Sequence, residues 1–172
     1  PSHGAAELEL IVRNSAHPPA AWVHSPECIP GSRVDIRVGG TFTLAHCGVV
    51  GSPDSSNGKS FLCTDLVLVG GGVGLNPMYS MLLEMASAAA RGQLVPFVRV
   101  LYSVKCLGDA VLLKRLTALK QGTMADKMEI TVFVTQEERD VECGNVALRR
   151  GRISQQQLAE CLRDCATGST VA

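Results

Sequence analysis

The chain has 172 residues, with 16 acidic and 16 basic side chains, a pI of ≈ 7.3 and a mean hydropathy of +0.18. Balanced charge builds no electrostatic footprint for nucleic acid or an anionic membrane surface, and aromatics at 4% of residues leave few platforms for base stacking. The length allows one large or two small domains, no targeting segment is visible, and Pro at position 1 is expected of a processed chain, a fragment or a trimmed form.

Residues 8–13 read as a short strand, and His17-Pro18-Pro19 opens a short helical segment through Trp22 and Val23. Pro30-Gly31 makes a turn. After it, Val34, Ile36 and Val38 alternate with Arg33, Asp35 and Arg37, the pattern of a half-buried antiparallel strand. Residues 47–64 are expected to be a linker, because Gly48, Gly51, Pro53, Asp54 and the Asn57-Gly58 pair are turn and loop formers. Asn57-Gly58-Lys59-Ser60 ends like a phosphate-binding P-loop. Pro53 holds the earlier glycine position, however, and a strand rather than a helix follows, so that reading is set aside.

From Asp65 the pattern changes. Leu66, Val67, Leu68 and Val69 are apolar on both faces, as in a buried strand. Gly70, Gly71, Gly72, Val73, Gly74 and Leu75 form a turn, Asn76 is the expected N-cap and Pro77 the first helical residue. Met78, Met81, Leu82, Met85 and Ala89 then recur at helical spacing. The order continues as helix 77–90, strand 97–102, helix 108–119, strand 129–134 and helix 155–164, the last opened by a Ser154/Gln157 capping box. Such alternation predicts an α/β fold with a parallel sheet and crossover helices. Residues 66–83 carry no charge and are long enough for a membrane span, but the glycines, Asn76 and Pro77 interrupt them, so no span is expected. Residues 165–172 read as a small polar, disordered tail with no strand.

A strand, a glycine turn and a helix start place free N–H groups and the positive end of the helix dipole together, which suits a phosphate or pyrophosphate. The same pattern also serves as a strand-to-helix turn without ligand, and Pro77 stands where a Gly-x-Gly-x-x-Gly motif has its third glycine. Tyr102, Ser103 and Lys105 end the second strand, on the carboxyl side where open parallel sheets bind ligands, and are expected to meet the adenosine half. No acid precedes Asp109 there, so Ser103 and Lys105 suit a 2′-hydroxyl or a 2′-phosphate, or are an ordinary strand end with a solvated lysine. A 2′-phosphate wants a fixed cation, usually Arg, and only Lys105 is near; NAD is therefore expected over NADP. The seven cysteines include no Cys-x-x-Cys, and His3, His17, His24 and His46 complete no zinc spacing, so thiols in a reducing compartment and no metal are expected.

The string from Gly70 to Pro77, with an apolar strand before it and a Met/Leu helix after it, resembles the ferredoxin-reductase family of flavin-dependent oxidoreductases, in which a Gly-x-Gly-x-x-Pro turn opens the NAD(P)-binding domain. Residues 17–24, 32–40, 101–105 and 151–154 follow the same resemblance in order, with an unmatched stretch near 47–62. The resemblance implies a partial antiparallel β-barrel at 1–46, the remnant of a flavin domain, and an NAD(P)-binding domain at 65–164. It implies cofactor contacts from Gly70 to Pro77 and from Tyr102, Ser103 and Lys105, and hydride transfer between NAD(P)H and flavin. No catalytic side chain is needed, because the cofactors carry the chemistry. The flavin-gripping strand of the family would precede residue 1, and Ala20 lacks the hydroxyl that members often carry, so FAD is not expected to stay with this chain. The family's last strand, with its Cys-Gly-Pro turn, has no counterpart after Asp164, and Cys165 is followed by Ala and Thr. Implied partners are NAD(H) and a flavin-carrying or electron-acceptor protein, in an intracellular, mitochondrial setting. The alternative is a non-catalytic nucleotide-binding or interaction isoform that has lost both ends of the site.

Overall fold

The computed structural model describes residues 8–37, 39–54, 58–136, 146–163 and 170–171. Its contacts divide the chain into two units, Pro1–Gly40 and Thr41–Ala172. In the first, Pro18 and Pro19 begin helix α1 (Pro18–Val23), where their fixed φ suits the opening turn. The strands expected at 8–13 and 34–38 do not form among the described residues; Val38 lies outside them. Alternation supplies one apolar face, but a strand also needs a partner for its backbone groups. Val34 and Ile36 accordingly stay 54% and 51% exposed. The expected barrel remnant is therefore not what the described residues of this unit build.

The second unit opens with a correction. The expected linker contains an antiparallel hairpin, β1 (Val50–Asp54) against β2 (Gly58–Phe61), with Val50 opposite Phe61 and Asp54 opposite Gly58. Asn-Gly between two short runs is a strong hairpin signal, although residues 55–57 lie outside the described set. Leu44 and Val49 are buried beside it, and the Val49 carbonyl accepts the Leu62 N–H at 2.9 Å.

The remaining strands are β3 (Asp65–Gly71), β4 (Phe97–Val104), β5 (Met128–Val134), β6 (Ala147–Arg150) and β7 (Thr170–Val171). They form one parallel sheet in the order β6-β5-β4-β3-β7. Helices α2 (Asn76–Ala90), α3 (Leu113–Gln121) and α4 (Gln155–Arg163) lie between them in sequence, which is the α/β arrangement that the alternating pattern predicts. A 3-10 turn at Leu107–Asp109 delays the third helix to Leu113. The capping box forms at α4: Ser154 N–H donates to Gln157 Oε1 at 2.8 Å and Gln157 N–H to Ser154 Oγ at 3.2 Å.

The strandless tail is a further correction. Thr170 pairs with Leu66 and Val171 with Val67, so two residues occupy the sheet edge that was expected to be bare. The ladder satisfies backbone groups that an open edge would leave bare. Residues 165–169 and Ala172 lie outside the described set.

Strand periodicity divides the core. Val67, Leu101 and Phe133 face Ile153, Leu158 and Cys161 on the α4 side. Leu66, Leu68 and Gly70 point to the other side, where Met78 of α2 lies against Gly70. Met81, Leu82, Met85, Leu112 and Leu116 are also buried. Each such large side chain stabilises the fold by about 1.5–3 kcal/mol on full burial.

Asp65 is buried at the start of β3 and is held by charge. Arg99 Nη1 donates to its Oδ1 at 3.0 Å, and Thr64 Oγ1 donates to Oδ2 at 3.0 Å. The same guanidinium reaches Glu129 at 3.5 Å and sits 4.9 Å from the centroid of the Phe97 ring. Replacing Arg99 by Met is expected to cost about 2 kcal/mol, because a largely buried carboxylate loses its counterion. A thermal melt checks this: an unchanged Tm would make the network incidental.

Candidate functional site

β3 and β4 run in register, so their carboxyl ends bring Gly70 beside Tyr102 and Gly71 beside Ser103. After Gly71 the backbone enters a 3-10 turn, Gly72–Leu75, and passes directly into α2. Asn76 is thus a helical residue rather than the expected N-cap; the cap position is Leu75, and Pro77 falls in the first turn. The open N–H groups of the turn therefore belong to Gly72 and Val73, since i→i−3 bonding in a 3-10 turn that starts at Gly72 already pairs the Gly74 N–H with the Gly71 carbonyl. Behind them stands the positive end of a 15-residue helix.

The glycines do different work. A Cβ on Gly70 would stand 2.7 Å from Leu75 Cδ1 and 3.1 Å from both Leu75 Cα and Met78 Sδ, so Gly70 lets the turn pack onto the sheet. Gly71 has ordinary room, with the Ser103 carbonyl 3.6 Å from its Cβ position. Gly72 has φ +50°, the left-handed region that favours glycine. At Gly74 the φ is ordinary and a Cβ would meet nothing within 4 Å. Neither packing nor backbone conformation requires glycine there.

Around the turn, Leu75 is fully buried and anchors it, Asn76 is half-buried, and Val73 and Pro77 are exposed. Ser103 is half-buried at the end of β4 and Lys105 is exposed just beyond it. Tyr102, predicted to meet the adenosine, is instead a core residue with no exposed surface, because its side chain points to the α2–α3 face of the sheet. Burial pushes its phenol pKa up, the nearby Leu112 N–H opposes that, and the Asp109 charge adds to it. Leu112 approaches the hydroxyl without completing a well-formed hydrogen bond. Tyr102→Phe is therefore expected to change stability by less than about 1 kcal/mol and to leave nucleotide affinity unaltered, as calorimetry and melting would show.

Besides a concavity of ≈ 310 Å³ among Gly92, Leu94, Gly122 and Lys127, two others are formed by described residues of this unit. One of ≈ 200 Å³ lies on the α4 side among Arg99, Thr131, Phe133, Arg149, Gln157 and Cys161, with Glu129 and Glu160 balancing its arginines. None of its lining residues belongs to the glycine turn. The other, ≈ 180 Å³, runs between Phe42, Leu44 and the start of α2 at Pro77 and Ser80. Among the described residues no three His, Cys, Asp or Glu side chains cluster in a metal-binding group, and no helix is long and apolar enough to cross a membrane. The sequence reading missed the Cys106–Asp109 cap. Its signal is an acid three residues after a turn residue that ends a strand.

No protein-family model matches the chain. It is 36% identical over 160 residues to "Oxidoreductase NAD-binding domain-containing protein 1" of Xenopus laevis, and 33% over 156 residues to the Danio rerio protein of that name. The Homo sapiens protein of the same name is 26% identical over 160 residues. The matches take in 88%, 88% and 89% of this chain but 46%, 53% and 47% of those proteins, so the chain spans about half their length. Among solved structures it is similar to the cytochrome b5 reductase domain of Ulva prolifera nitrate reductase, at 22% identity and a TM-score of 0.47, over 66% of this chain and 39% of that one. The α/β chain with the glycine turn is therefore a relative, along most of its own length, of the proteins named oxidoreductase NAD-binding domain-containing protein 1.

Proposed function

We propose that this chain is the NAD(H)-binding module of a flavin-linked oxidoreductase, in which the nucleotide exchanges hydride with a flavin held outside the described residues. One observation carries the reading: Gly74 is a glycine that packing and backbone conformation do not need, on a turn that follows the carboxyl end of a parallel strand. Clearance for a ligand is the reason this reading assigns to it, because of its place on the turn between β3 and α2. The name of the relatives supports NAD as that ligand.

In this reading the N–H groups of Gly72 and Val73 receive the pyrophosphate, Gly74 leaves it room, and Ser103 and Lys105 lie beside the adenosine. NAD(H), when bound, supplies the hydride; the chain's residues bind and orient it, and no side chain has to move a proton. The flavin is a different matter. The described part of the first unit has one short helix, no strand ladder, and Ala20 where a hydroxyl would help, so these residues do not fit a flavin-binding barrel. No step is assigned through a flavin held by them.

An absorbance scan and an NADH titration test the proposal together. The purified chain is expected to be colourless, to bind NADH at one site, and to oxidise it only when another flavoprotein is supplied. A folded chain that binds no NADH would contradict the nucleotide reading. Steady NADH oxidation with added FAD and an artificial acceptor alone would contradict the assignment of the flavin elsewhere.

A further inference from the structure

We infer that two copies of this chain associate about a two-fold axis at the amino end of the sheet, each seating its Leu94 in the other's groove. The groove lies in the second unit, where β4 and β5 begin, at the opposite end of the strands from the glycine turn. It is therefore independent of the nucleotide reading.

The ends of α2 and α3 wall the groove. α2 stops in a Schellman motif: Gly92, at φ +76°, donates its N–H to the Ala89 carbonyl at 2.9 Å, and Gln93 N–H donates to the Ala88 carbonyl at 3.1 Å. Past α3, the Gly122 and Met124 N–H groups both donate to the Leu119 carbonyl, at 3.2 and 3.0 Å. Between these two ends the concavity of ≈ 310 Å³ is lined by small residues, Ala89, Gly92, Gly122 and Ala125 among them, which leave room for a branched side chain.

Leu94 stands on the lip of that groove and is 90% exposed, whereas the next most exposed large apolar side chains among the described residues reach 63%. Isolated exposed leucines are ordinary. This one is held out on a fixed bridge. The Gln93–Ala88 bond ties one flank, and Phe97 N–H ties the other by donating to the Thr64 carbonyl at 2.8 Å, with buried Pro96 between. A knob fixed in this way loses little conformational freedom when it is covered. Knob and hole on one face are self-complementary, which is what a closed two-fold contact requires: each copy receives what it inserts.

Charge points to the same occupant. Asp126 and Lys127, neighbours on the groove wall, carry opposite signs and make no ion pair among the described residues. A two-fold axis sets Asp126 of each copy against Lys127 of the other, so the contact is neutral as well as apolar. The groove and its lip are small beside the roughly 800 Å² per partner of a standard interface, so the association is weak, with a dissociation constant of about 100 μM.

Sedimentation equilibrium of the full chain from about 10 μM to about 1 mM tests this, with a reductant present to keep the seven cysteines from cross-linking copies. A monomer–dimer equilibrium is expected. Leu94→Asp should leave a monomer throughout that range with an unchanged melting curve, because its side chain is exposed. Asp126→Lys should weaken the dimer by about tenfold or more, and Asp126→Lys with Lys127→Asp in the same chain should restore it to within about threefold. Val34→Asp, on the exposed apolar segment of the first unit, should leave the constant unchanged. A chain that stays monomeric to about 1 mM overturns the inference. So does a dimer that survives Leu94→Asp, one that Val34→Asp abolishes, or a charge reversal that the second exchange fails to rescue.

Discussion

Gly74→Val is expected to abolish dinucleotide binding and to leave the fold intact. The backbone at Gly74 has an ordinary φ, and a Cβ there meets nothing within 4 Å, so the protein itself accommodates the new side chain. In the proposed reading the space it fills is that of a pyrophosphate on the Gly72 and Val73 N–H groups. A pyrophosphate kept off those N–H groups loses several hydrogen bonds and its place at the helix dipole, which should weaken NADH binding by about 100-fold or more. The Tm should move by no more than about 2 °C. Calorimetry and a melt on the same sample check both halves. Unchanged affinity in a folded Gly74→Val protein would make the turn purely structural.

Gly70→Val should do the opposite and damage stability first. Its Cβ would stand 2.7 Å from Leu75 Cδ1, and Leu75 Cα and Met78 Sδ are 3.1 Å away, so the collision involves backbone as well as a side-chain tip. Overpacking of this kind costs about 3 kcal/mol, a fall in Tm of about 6–12 °C for a chain of this size. Leu75→Ala alone leaves a cavity under the turn and is expected to cost about 2–5 kcal/mol. The double variant roughly conserves volume and should be more stable than the sum of the two losses, by about 1 kcal/mol or more. Simple additivity in the four-protein cycle would show that Gly70 and Leu75 do not pack on each other.

The contrast between Gly70 and Gly74 was only half legible in the sequence. The apolar run at 66–69, the glycines and the helical spacing after Pro77 reveal a strand, a turn and a helix, because burial on both faces and backbone freedom leave marks in composition. Which glycine serves packing and which stands open depends on Leu75 folding back over β3, and no local pattern records that. Tyr102 likewise sits at the right place along β4, but strand alternation turns it into the core and leaves Ser103 and Lys105 at the rim.

The missed strands share one cause. β6 is four residues long and carries Arg149 and Arg150, as suits an exposed edge, so no apolar run announces it. β7 is two residues, defined wholly by its pairing with Leu66 and Val67. The reverse error at Val34 and Ile36 has the same root: period-2 alternation describes a face, whereas a strand exists only with a neighbour.

Amide chemical-shift mapping on isotope-labelled chain during an NADH titration tests the central claim most directly. The largest saturable shifts are expected at Gly72, Val73 and Gly74, with a second group at Ser103 and Lys105. Shifts concentrated instead at Thr131, Arg149 and Gln157, around the cavity on the α4 side, or no saturable shifts at all, would contradict it.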